Sequence, residues 1–327
     1  MFDNPYHNFR HVVDVMQTSY ALAHLLGTLS RLSPWEKFAL AAAALCHDLE
    51  HPGVSSAFVS EAEELFTSSY KDLLLEKHHA LRAFEVMVDR EVDLLRGLRT
   101  VKYYEVRGNV NRVILATDIS KHSEYLAKLR AHIAHSESAR AAGGEAVKID
   151  KHFEMELILK CADISNVLKP FATAKRWAIR VTDEFYLQGD LERSRGMAVT
   201  QMCDRGVQAP VALQKAFIDY LCAPWYEAVA GAFPAFAPAL AQMRENRAKW
   251  ESYTDAELEG CRDWVDDVDP FPKAEDESCH RLHRLLKVMR TRTVLEAPSR
   301  GIDRTASEQN RPKPTAIVHS RRTFSST

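Results

Sequence analysis

Two histidines near the N-terminus have a spacing that could serve metal chemistry. His7 and His11 are four residues apart, so on an α-helix their side chains would share one face, about 6 Å apart along the axis. An imidazole pair of this kind could help to bind a metal ion. In a chain with 14 histidines, the same pair also fits an ordinary structural role.

A second cluster combines histidine and aspartate at the end of an apolar run. His47, Asp48 and His51 follow the apolar residues 38–45. A buried helix ending in His-Asp carries a carboxylate into the interior, where leaving it unpaired would cost several kcal/mol, and a metal ion would remove that cost. The alternative is a helix end where His47 and His51 bind the last carbonyls and Asp48 is solvated, because Pro52 and Gly53 stop the helix.

A third candidate is Asp163, which lies within the apolar stretch Phe153 to Ile164 and should therefore point inward. A core carboxylate held by a buried arginine or by backbone N–H groups is the alternative. Taken together, His11, His47, Asp48 and Asp163 offer four nitrogen and oxygen ligands. Such a set suits Zn²⁺, and a neighbouring oxygen-rich position would suit Mg²⁺ or Mn²⁺.

Several longer motifs extend this pattern in a fixed order. They are Tyr6-His7-Asn8-x-x-His11, the run from His47 to Gly53, the run from Ala116 to His122, the run from Cys161 to Asn166, Gln188-Gly189-Asp190-x-Glu192, and Gln214-x-x-Phe217-Ile218-Asp219. The chain resembles the catalytic domain of class I 3′,5′-cyclic nucleotide phosphodiesterases, within the HD-type metal-dependent phosphohydrolases. The resemblance covers roughly residues 6–290.

The resemblance implies a two-metal hydrolase. It identifies the protein ligands of a tightly bound metal, usually zinc, and makes Asp48 the carboxylate that also reaches a second metal, usually magnesium. These ligands are His11, His47, Asp48 and Asp163. It gives a water-orienting role to His51, Glu76, Thr117 and Asp118. A hydroxide activated by the two metals would attack phosphorus.

The resemblance also implies a general acid. His7 matches the residue that protonates the departing 3′ oxygen, and its offset from His11 would put a proton donor and a metal ligand on one helix face. Glu184 could keep His7 charged; a surface salt bridge is the alternative.

The family's nucleotide pocket has counterparts in this sequence. Gln214 resembles the purine-binding glutamine of the family. Phe217 resembles the aromatic residue that stacks on the purine, and Val181 resembles the aliphatic residue on the opposite side of the purine. Phe217 and Val181 would also fit the hydrophobic core. Asn166 matches a position that is asparagine in several cAMP-selective members of the family, which favours adenine. Ala174 stands where some relatives have a tyrosine that fixes the glutamine amide. The expected substrate-binding residues are Tyr6, Asn166, Val181, Gln214 and Phe217.

Helices must position these residues. With 12 glycines in 327 residues and few alternating strand patterns, we expect an all-α, compact multi-helix fold with ten or more helices. Apolar residues recur at helical spacing in His11 to Leu29, Trp35 to Cys46, Leu81 to Val92, Arg112 to Ala134, Phe153 to Ile164, Ala172 to Leu187, Val211 to Ala230 and Pro238 to Trp250. We predict one catalytic domain over residues 1–297 and a disordered tail over 298–327, whose composition cannot offset ordering entropy.

Composition limits the setting and the partners. The net charge of −2 argues against a nucleic-acid surface, and no apolar run is long enough for a membrane span. Six scattered cysteines without a C-x-x-C pair and no visible secretory signal favour a cytoplasmic protein. The partners considered are a cyclic nucleotide substrate and a second copy of the chain in a homodimer.

We therefore expect an enzyme that converts cyclic nucleotide to 5′-monophosphate, cAMP in preference to cGMP. The family normally has several helices before the Tyr-His-Asn motif, so a truncated N-terminus is also expected. Another HD-type phosphohydrolase and a non-catalytic nucleotide-binding remnant are the alternatives.

Overall fold

The described part of the chain is built from helices alone. The structure, a computed structural model, describes residues 1–62 and 74–261, in which there is no β-strand. The α-helices are α1 Phe9–Leu25, α2 Pro34–Cys46, α3 Ser56–Ala62, α4 Leu74–Met87, α5 Thr100–Leu115, α6 His122–Ala141, α7 Lys151–Asp163, α8 Phe171–Ser194, α9 Pro210–Ala216, α10 Ala223–Ala232, α11 Ala237–Ser252 and α12 Asp255–Glu259. The predicted all-α fold is confirmed.

The described residues all belong to one unit, which spans residues 1–286; a second unit, 287–327, lies outside them. The predicted tail and the domain boundary before it also lie outside the described residues. None of the helices within 1–62 and 74–261 combines the length and apolar character needed to span a membrane.

Helix α1 begins later than the histidine spacing predicted. The side chain of Asn8 accepts hydrogen bonds from the backbone N–H groups of Arg10 and His11, at 2.9 and 3.2 Å. Asn8 is therefore the N-cap, and His7 lies in the turn before the helix. The prediction that His7 and His11 share a helix face was wrong, yet their ring centroids are only 5.7 Å apart.

The predicted helix from Arg112 to Ala134 is two helices. Helix α5 ends at Leu115 and α6 begins at His122. Between them, the carboxylate of Asp118 accepts hydrogen bonds from the backbone N–H and the hydroxyl of Ser120, both at 2.8 Å. These bonds to Ser120 offer the backbone an alternative to a continuous helix, which periodicity alone did not reveal.

The predicted helix from Val211 to Ala230 also changes character midway. Helices α9 and α10 are joined by a π-helical segment, Phe217–Cys222. Pro224, just beyond it, lacks the N–H that a regular α-helix would need there, and π-helical turns are often found at functional sites. The predicted helix from Leu81 to Val92 instead begins upstream and ends at Met87.

Four helices pack together in the core. Helix α1 packs on α2 and α7, α2 packs on α5, and α5 packs on α7. In α7, every residue from Phe153 to Ala162 is buried, so its C-terminal Asp163 emerges from a helix enclosed by its neighbours. The N-terminal turn of α1 and the C-terminal ends of α2 and α7 carry the four predicted ligands.

Candidate active site

Four side chains converge where α1, α2 and α7 meet. His11 Nε2 lies 3.1 Å from Asp163 Oδ1 and 3.3 Å from Asp48 Oδ2. His47 Nε2 lies 3.2 Å from the same Asp163 oxygen and 3.1 Å from the same Asp48 oxygen. Because one donor atom from each residue falls within a 4.8 Å group, the structure brings together all four predicted ligands.

The end of α2 fixes the orientation of His47. Its Nδ1 donates a hydrogen bond to the carbonyl oxygen of Ala44, at 2.9 Å, which leaves Nε2 as the nitrogen that faces the cluster. A hydrogen bond of this kind sets the tautomer of a metal-ligating histidine. Only one part of the alternative reading is found: His47 binds a late carbonyl of α2 through Nδ1, whereas Asp48 is buried and not solvated, and His51 Nδ1 accepts the backbone N–H of Gly53.

The cluster fits a divalent cation. Bonds of about 2.1 Å to zinc put neighbouring donor atoms about 3.0 to 3.4 Å apart, and the four separations above, from 3.1 to 3.3 Å, match that spacing. Asp48 Oδ2 is buried and forms no hydrogen bond of normal geometry with any described residue. A buried acceptor without a donor is costly, and a cation would satisfy it.

The charges in the cluster are strongly coupled. Burial opposes the charge on His47, but the carboxylates of Asp48 and Asp163 hold its pKa well above the usual value. Burial likewise opposes the charge on both aspartates, and their imidazole neighbours hold the pKa of Asp48 and Asp163 well below the usual range. Both carboxylates therefore remain ionised at neutral pH, as metal ligands must.

His7 is held by a buried carboxylate from α8. Its Nδ1 pairs with Glu184 Oε1, while Glu184 Oε2 accepts hydrogen bonds from the backbone N–H groups of Tyr6 and His7, at 2.8 and 3.0 Å. Glu184 is only 3% exposed, which excludes the surface salt bridge. Burial alone would lower the pKa of His7, but the charge and hydrogen bond of Glu184 raise it to about 9.

His51 stacks on the ring of His7 and stays neutral. The ring centroids are 3.9 Å apart, and His51 Nδ1 accepts a hydrogen bond from the backbone N–H of Gly53, at 3.1 Å. Burial and the positive charge of His7 hold the pKa of His51 well below its usual value. The site thus pairs a protonated imidazole with a neutral one.

Two further residues of this region escaped the sequence analysis. Asn4 is buried, and its Nδ2 donates hydrogen bonds to the carbonyl oxygens of His7 and His51, at 2.9 and 2.7 Å. His79 stacks on His51 and could share a cation with it and with Asp48. An asparagine before proline and one of 14 histidines carry little signal by themselves.

The structure shows the local setting of three further residues that were expected to orient water. Burial and the nearby carboxylates of Asp118 and Asp48 raise the pKa of Glu76 to about 7, which places Glu76 on α4 in the field of the site. The Thr117 hydroxyl donates to the carbonyl of Ile114, at 2.8 Å, so its oxygen can still accept hydrogen bonds. The structure places Asp118 beside it, in the turn between α5 and α6.

One face of α8 borders the His7 side of the site. Trp177, Val181 and Glu184 follow one another at helical spacing on that face. The Trp177 ring lies 5.5 Å from the Tyr6 ring, whose centroid in turn lies 4.7 Å from that of His11. Val181 is half-buried between Trp177 and Glu184, so it faces the same region as Tyr6.

The remaining predicted pocket residues have groups available for a ligand. Gln214 is buried on α9. Phe217 is half-buried and packs partly against the core. Asn166 Oδ1 is buried without a hydrogen-bond partner in the described parts of the chain. The structure gives no direct contact between these residues and the four-ligand cluster.

The sequence is similar to those of known phosphodiesterases. The family model described as 3′5′-cyclic nucleotide phosphodiesterase matches residues 6–243. A 3′,5′-cyclic-nucleotide phosphodiesterase, regA, from Dictyostelium discoideum is 32% identical over 263 residues, which are 80% of this chain and 32% of the relative. The 3′,5′-cyclic-AMP phosphodiesterase isoform F of Drosophila melanogaster is 33% identical over 256 residues, which are 76% of this chain and 38% of that protein.

A relative named for cGMP is also similar. The mouse high affinity cGMP-specific 3′,5′-cyclic phosphodiesterase 9A is 29% identical over 251 residues, covering 76% of this chain and 45% of the relative. This chain therefore spans less than half the length of each of these three relatives.

Solved structures share the fold. LmjPDEB1 in complex with IBMX superposes with a TM-score of 0.67 at 31% identity, covering 79% of this chain and 76% of that chain. The phosphodiesterase domain of the RhoPDE fusion protein from the choanoflagellate Salpingoeca rosetta gives a TM-score of 0.67 at 29% identity, covering 80% of each chain. The family match over residues 6–243 and these likenesses show that the chain belongs to the 3′,5′-cyclic nucleotide phosphodiesterase family.

Proposed function

We propose that this site hydrolyses 3′,5′-cyclic nucleotides to nucleoside 5′-monophosphates, with cAMP preferred over cGMP. The observation that carries the proposal is the position of the His7–Glu184 pair beside the four-ligand cluster, with the rings of His7 and His11 5.7 Å apart. A charged imidazole next to a cation site offers both a proton for a leaving oxygen and charge to stabilise a phosphorane-like transition state.

The family is metal-dependent, and the donor atoms suggest which metals. Two imidazole nitrogens and two carboxylate oxygens, from His11, His47, Asp48 and Asp163, suit zinc. A second position that shares Asp48 would be richer in oxygen and so suit Mg²⁺ or Mn²⁺. When bound, the two cations would supply a nucleophile from water and neutralise charge that develops at phosphorus.

Residues around the cluster would hold water in place. We assign this role to His51, Glu76, Thr117 and Asp118. The support is chemical: the Thr117 hydroxyl donates a hydrogen bond to the carbonyl oxygen of Ile114 and retains acceptor capacity, and Glu76 lies in the field of several carboxylates. Oxygen acceptors at these positions would orient the hydrogen atoms of bound waters.

His7 would act as the general acid. Its Nδ1 is engaged by Glu184, so the proton on Nε2 is the one available to the departing 3′ oxygen. The buried carboxylate keeps the ring charged by raising its pKa to about 9, against the effect of burial. The neutral ring of His51, stacked at 3.9 Å, restricts the orientation of His7 without competing as a proton donor.

The base would lie among Tyr6, Asn166, Val181, Gln214 and Phe217. The Gln214 amide can offer a donor and an acceptor to a purine edge, while Phe217 and Val181 supply apolar walls. The buried, unpartnered Oδ1 of Asn166 favours adenine, because the exocyclic amino group of adenine is a donor whereas guanine presents O6, an acceptor, at the corresponding position. Ala174 has no side-chain group that could fix the Gln214 amide, so we expect the preference to be incomplete.

The position of bond cleavage tests this function. The metal-loaded chain is incubated with cAMP in ¹⁸O-labelled water, and the product is analysed by chromatography and mass spectrometry. We expect 5′-AMP with one label in the phosphate, since the 3′ bond breaks and water supplies the new oxygen. Formation of 3′-AMP would contradict the proposed geometry. Turnover of other phosphate esters without turnover of cyclic nucleotide would favour a different HD-type phosphohydrolase.

A further inference from the structure

Lys160 is a buried cation that the proposed mechanism does not use. Its side chain is 2% exposed and is among the largest fully buried side chains in the described ranges. It lies on α7 three residues before Asp163, so the two side chains project from neighbouring positions of one helix face. Burying an ammonium group is costly unless its protons find acceptors, and the position of those acceptors indicates what Lys160 does.

The acceptors of Lys160 lie where α5 ends. Its Nζ donates hydrogen bonds to the carbonyl oxygens of Ala116 and Asp118, at 3.2 and 3.1 Å, and Ala116 is the C-cap of α5. The last carbonyls of a helix lack partners within the helix, and this end carries the negative pole of the helix dipole. An ammonium group therefore stabilises this helix end both as a donor and as a charge.

The turn held by Lys160 carries two of the residues proposed to orient water. Thr117 lies between the two carbonyls that Lys160 binds, and the hydroxyl of Thr117 reaches back to Ile114. Asp118 supplies one of these carbonyls, and its side chain is tied to Ser120 by two hydrogen bonds. Lys160 thus joins the turn that carries Thr117 and Asp118 to the helix that carries Asp163.

We propose that Lys160 is a positioning residue that holds the turn at residues 116–118 against α7 and so sets the affinity of the oxygen-rich metal position. It acts through the turn and touches neither substrate nor cation. The inference rests on the proposed function, because that position is the second of the two proposed metal sites. The zinc position does not depend on the turn, since its four ligands come from residues 11, 47, 48 and 163.

The test compares two variants with a matched control. Lys160→Met keeps the length and apolar stem of the side chain but removes its donors, and Lys160→Gln retains two neutral N–H donors. Lys128→Met removes an exposed lysine of α6 whose Nζ lies 3.7 Å from the centroid of the Phe153 ring. Zinc content is measured by elemental analysis, and Mn²⁺ binding to the zinc-loaded chain by electron paramagnetic resonance of free Mn²⁺.

We expect full zinc content in all variants. The Kd for Mn²⁺ should rise at least tenfold in Lys160→Met, two- to fivefold in Lys160→Gln, because a neutral amide donates weaker hydrogen bonds than an ammonium group, and not at all in Lys128→Met. A purely structural defect would reduce zinc and Mn²⁺ binding together, and that result would overturn the proposal. So would a change of less than twofold in Lys160→Met, or an equal loss in Lys128→Met.

If Lys160→Met does not fold, as judged by circular dichroism, Lys160→Gln decides. A two- to fivefold weaker Mn²⁺ affinity with full zinc supports the proposal, and an unchanged affinity overturns it. A wild-type chain that binds zinc but no Mn²⁺ would instead count against the two-metal function itself, so the two failures are distinguishable.

Discussion

His7 and Glu184 lie 177 positions apart in the sequence and form a hydrogen-bonded ion pair beside the four-ligand cluster. The same carboxylate also accepts two backbone N–H groups, from Tyr6 and His7. Glu184 therefore fixes both the position of the turn before α1 and the charge on the imidazole. The protonation of His7 in the proposed site therefore depends on this contact between α8 and the turn before α1.

Replacing Glu184 by glutamine should move the alkaline limb of the pH profile to lower pH. Burial lowers the pKa of His7, but Glu184, with the charges of Asp48 and Asp163, raises it from 6.5 to about 9. An acid is active only while protonated, so activity is lost as the pH rises through that value. At pH 8, an imidazole with a pKa of about 9 is about 90% protonated, against about 3% for an ordinary histidine, so kcat should fall roughly 30-fold. The measurement is kcat against pH.

The control for this change is Glu227→Gln, which removes a charge from an exposed ion pair with Arg244. Its pH profile should match the wild type. An alkaline limb that stays in place in Glu184→Gln would show that His7 does not owe its charge to Glu184.

Two identical substitutions should separate the proton donor from the metal ligand. His7→Asn should lower kcat by about 10² to 10⁴, the usual value of general acid catalysis, with zinc content intact. His11→Asn should lower zinc content itself, because it removes one of four donors. Elemental analysis after gel filtration gives the metal content, and His24→Asn, on the exposed side of α1, serves as control. Equal metal loss in the His7 and His11 variants would refute this division of roles.

The sequence motif around Gln188 contains a glycine that the packing requires. A Cβ atom on Gly189 would lie 2.1 Å from the carbonyl oxygen of Cys203, so Gly189→Ala should lower the free energy of unfolding by about 3 kcal/mol or more. Gly108→Ala is the matched control, because no heavy atom lies within 4 Å of its added Cβ in α5. It should raise stability by about 0.5 to 1 kcal/mol. Urea unfolding measures the stability of both variants. Equal stabilities of Gly189→Ala and Gly108→Ala would contradict the close approach of α8 to the backbone at Cys203.

Asn4 should matter for both stability and turnover. Its Nδ2 joins the carbonyls of His7 and His51, so Asn4→Ala leaves two acceptors without this donor, at a cost of about 1 to 3 kcal/mol. We expect kcat to fall while zinc content is unchanged. Ser30→Ala removes an exposed side-chain hydrogen bond to Gly27 and should change stability by less than about 0.5 kcal/mol. An Asn4→Ala variant with wild-type kcat would show that the two hydrogen bonds of Asn4 are not needed to place His7.

The four-ligand cluster could be predicted from the sequence because it is energetically costly to bury unpaired carboxylates. A buried carboxylate requires a polar or charged partner. This holds for Asp163 in its apolar helix and for the His-Asp pair at the end of a buried run, and in the structure these residues lie together. The apolar periodicity predicted α2 and α7 nearly to their ends, because both helices bury apolar faces against the core.

Other features depended on local hydrogen bonds that periodicity does not register. The side chain of Asn8 caps α1, so that the helix begins after His7. Hydrogen bonds of Asp118 and Lys160 stabilise the turn between α5 and α6, where the apolar pattern predicted one continuous helix. Asn4 acts through two carbonyl oxygens, which every residue possesses, so no side-chain pattern could have paired it with them.

The most direct measurement of the proposed activity is hydrolysis of cAMP and cGMP by the purified, metal-loaded chain, assayed side by side. Each substrate is tested as prepared, after treatment with a chelator, and after zinc with magnesium or manganese is restored. We predict hydrolysis of both nucleotides, a higher kcat/KM for cAMP, loss of turnover with chelator and recovery when the metals return. A folded, zinc-loaded chain that hydrolyses neither nucleotide, or turnover that survives complete metal removal, would contradict the proposed function.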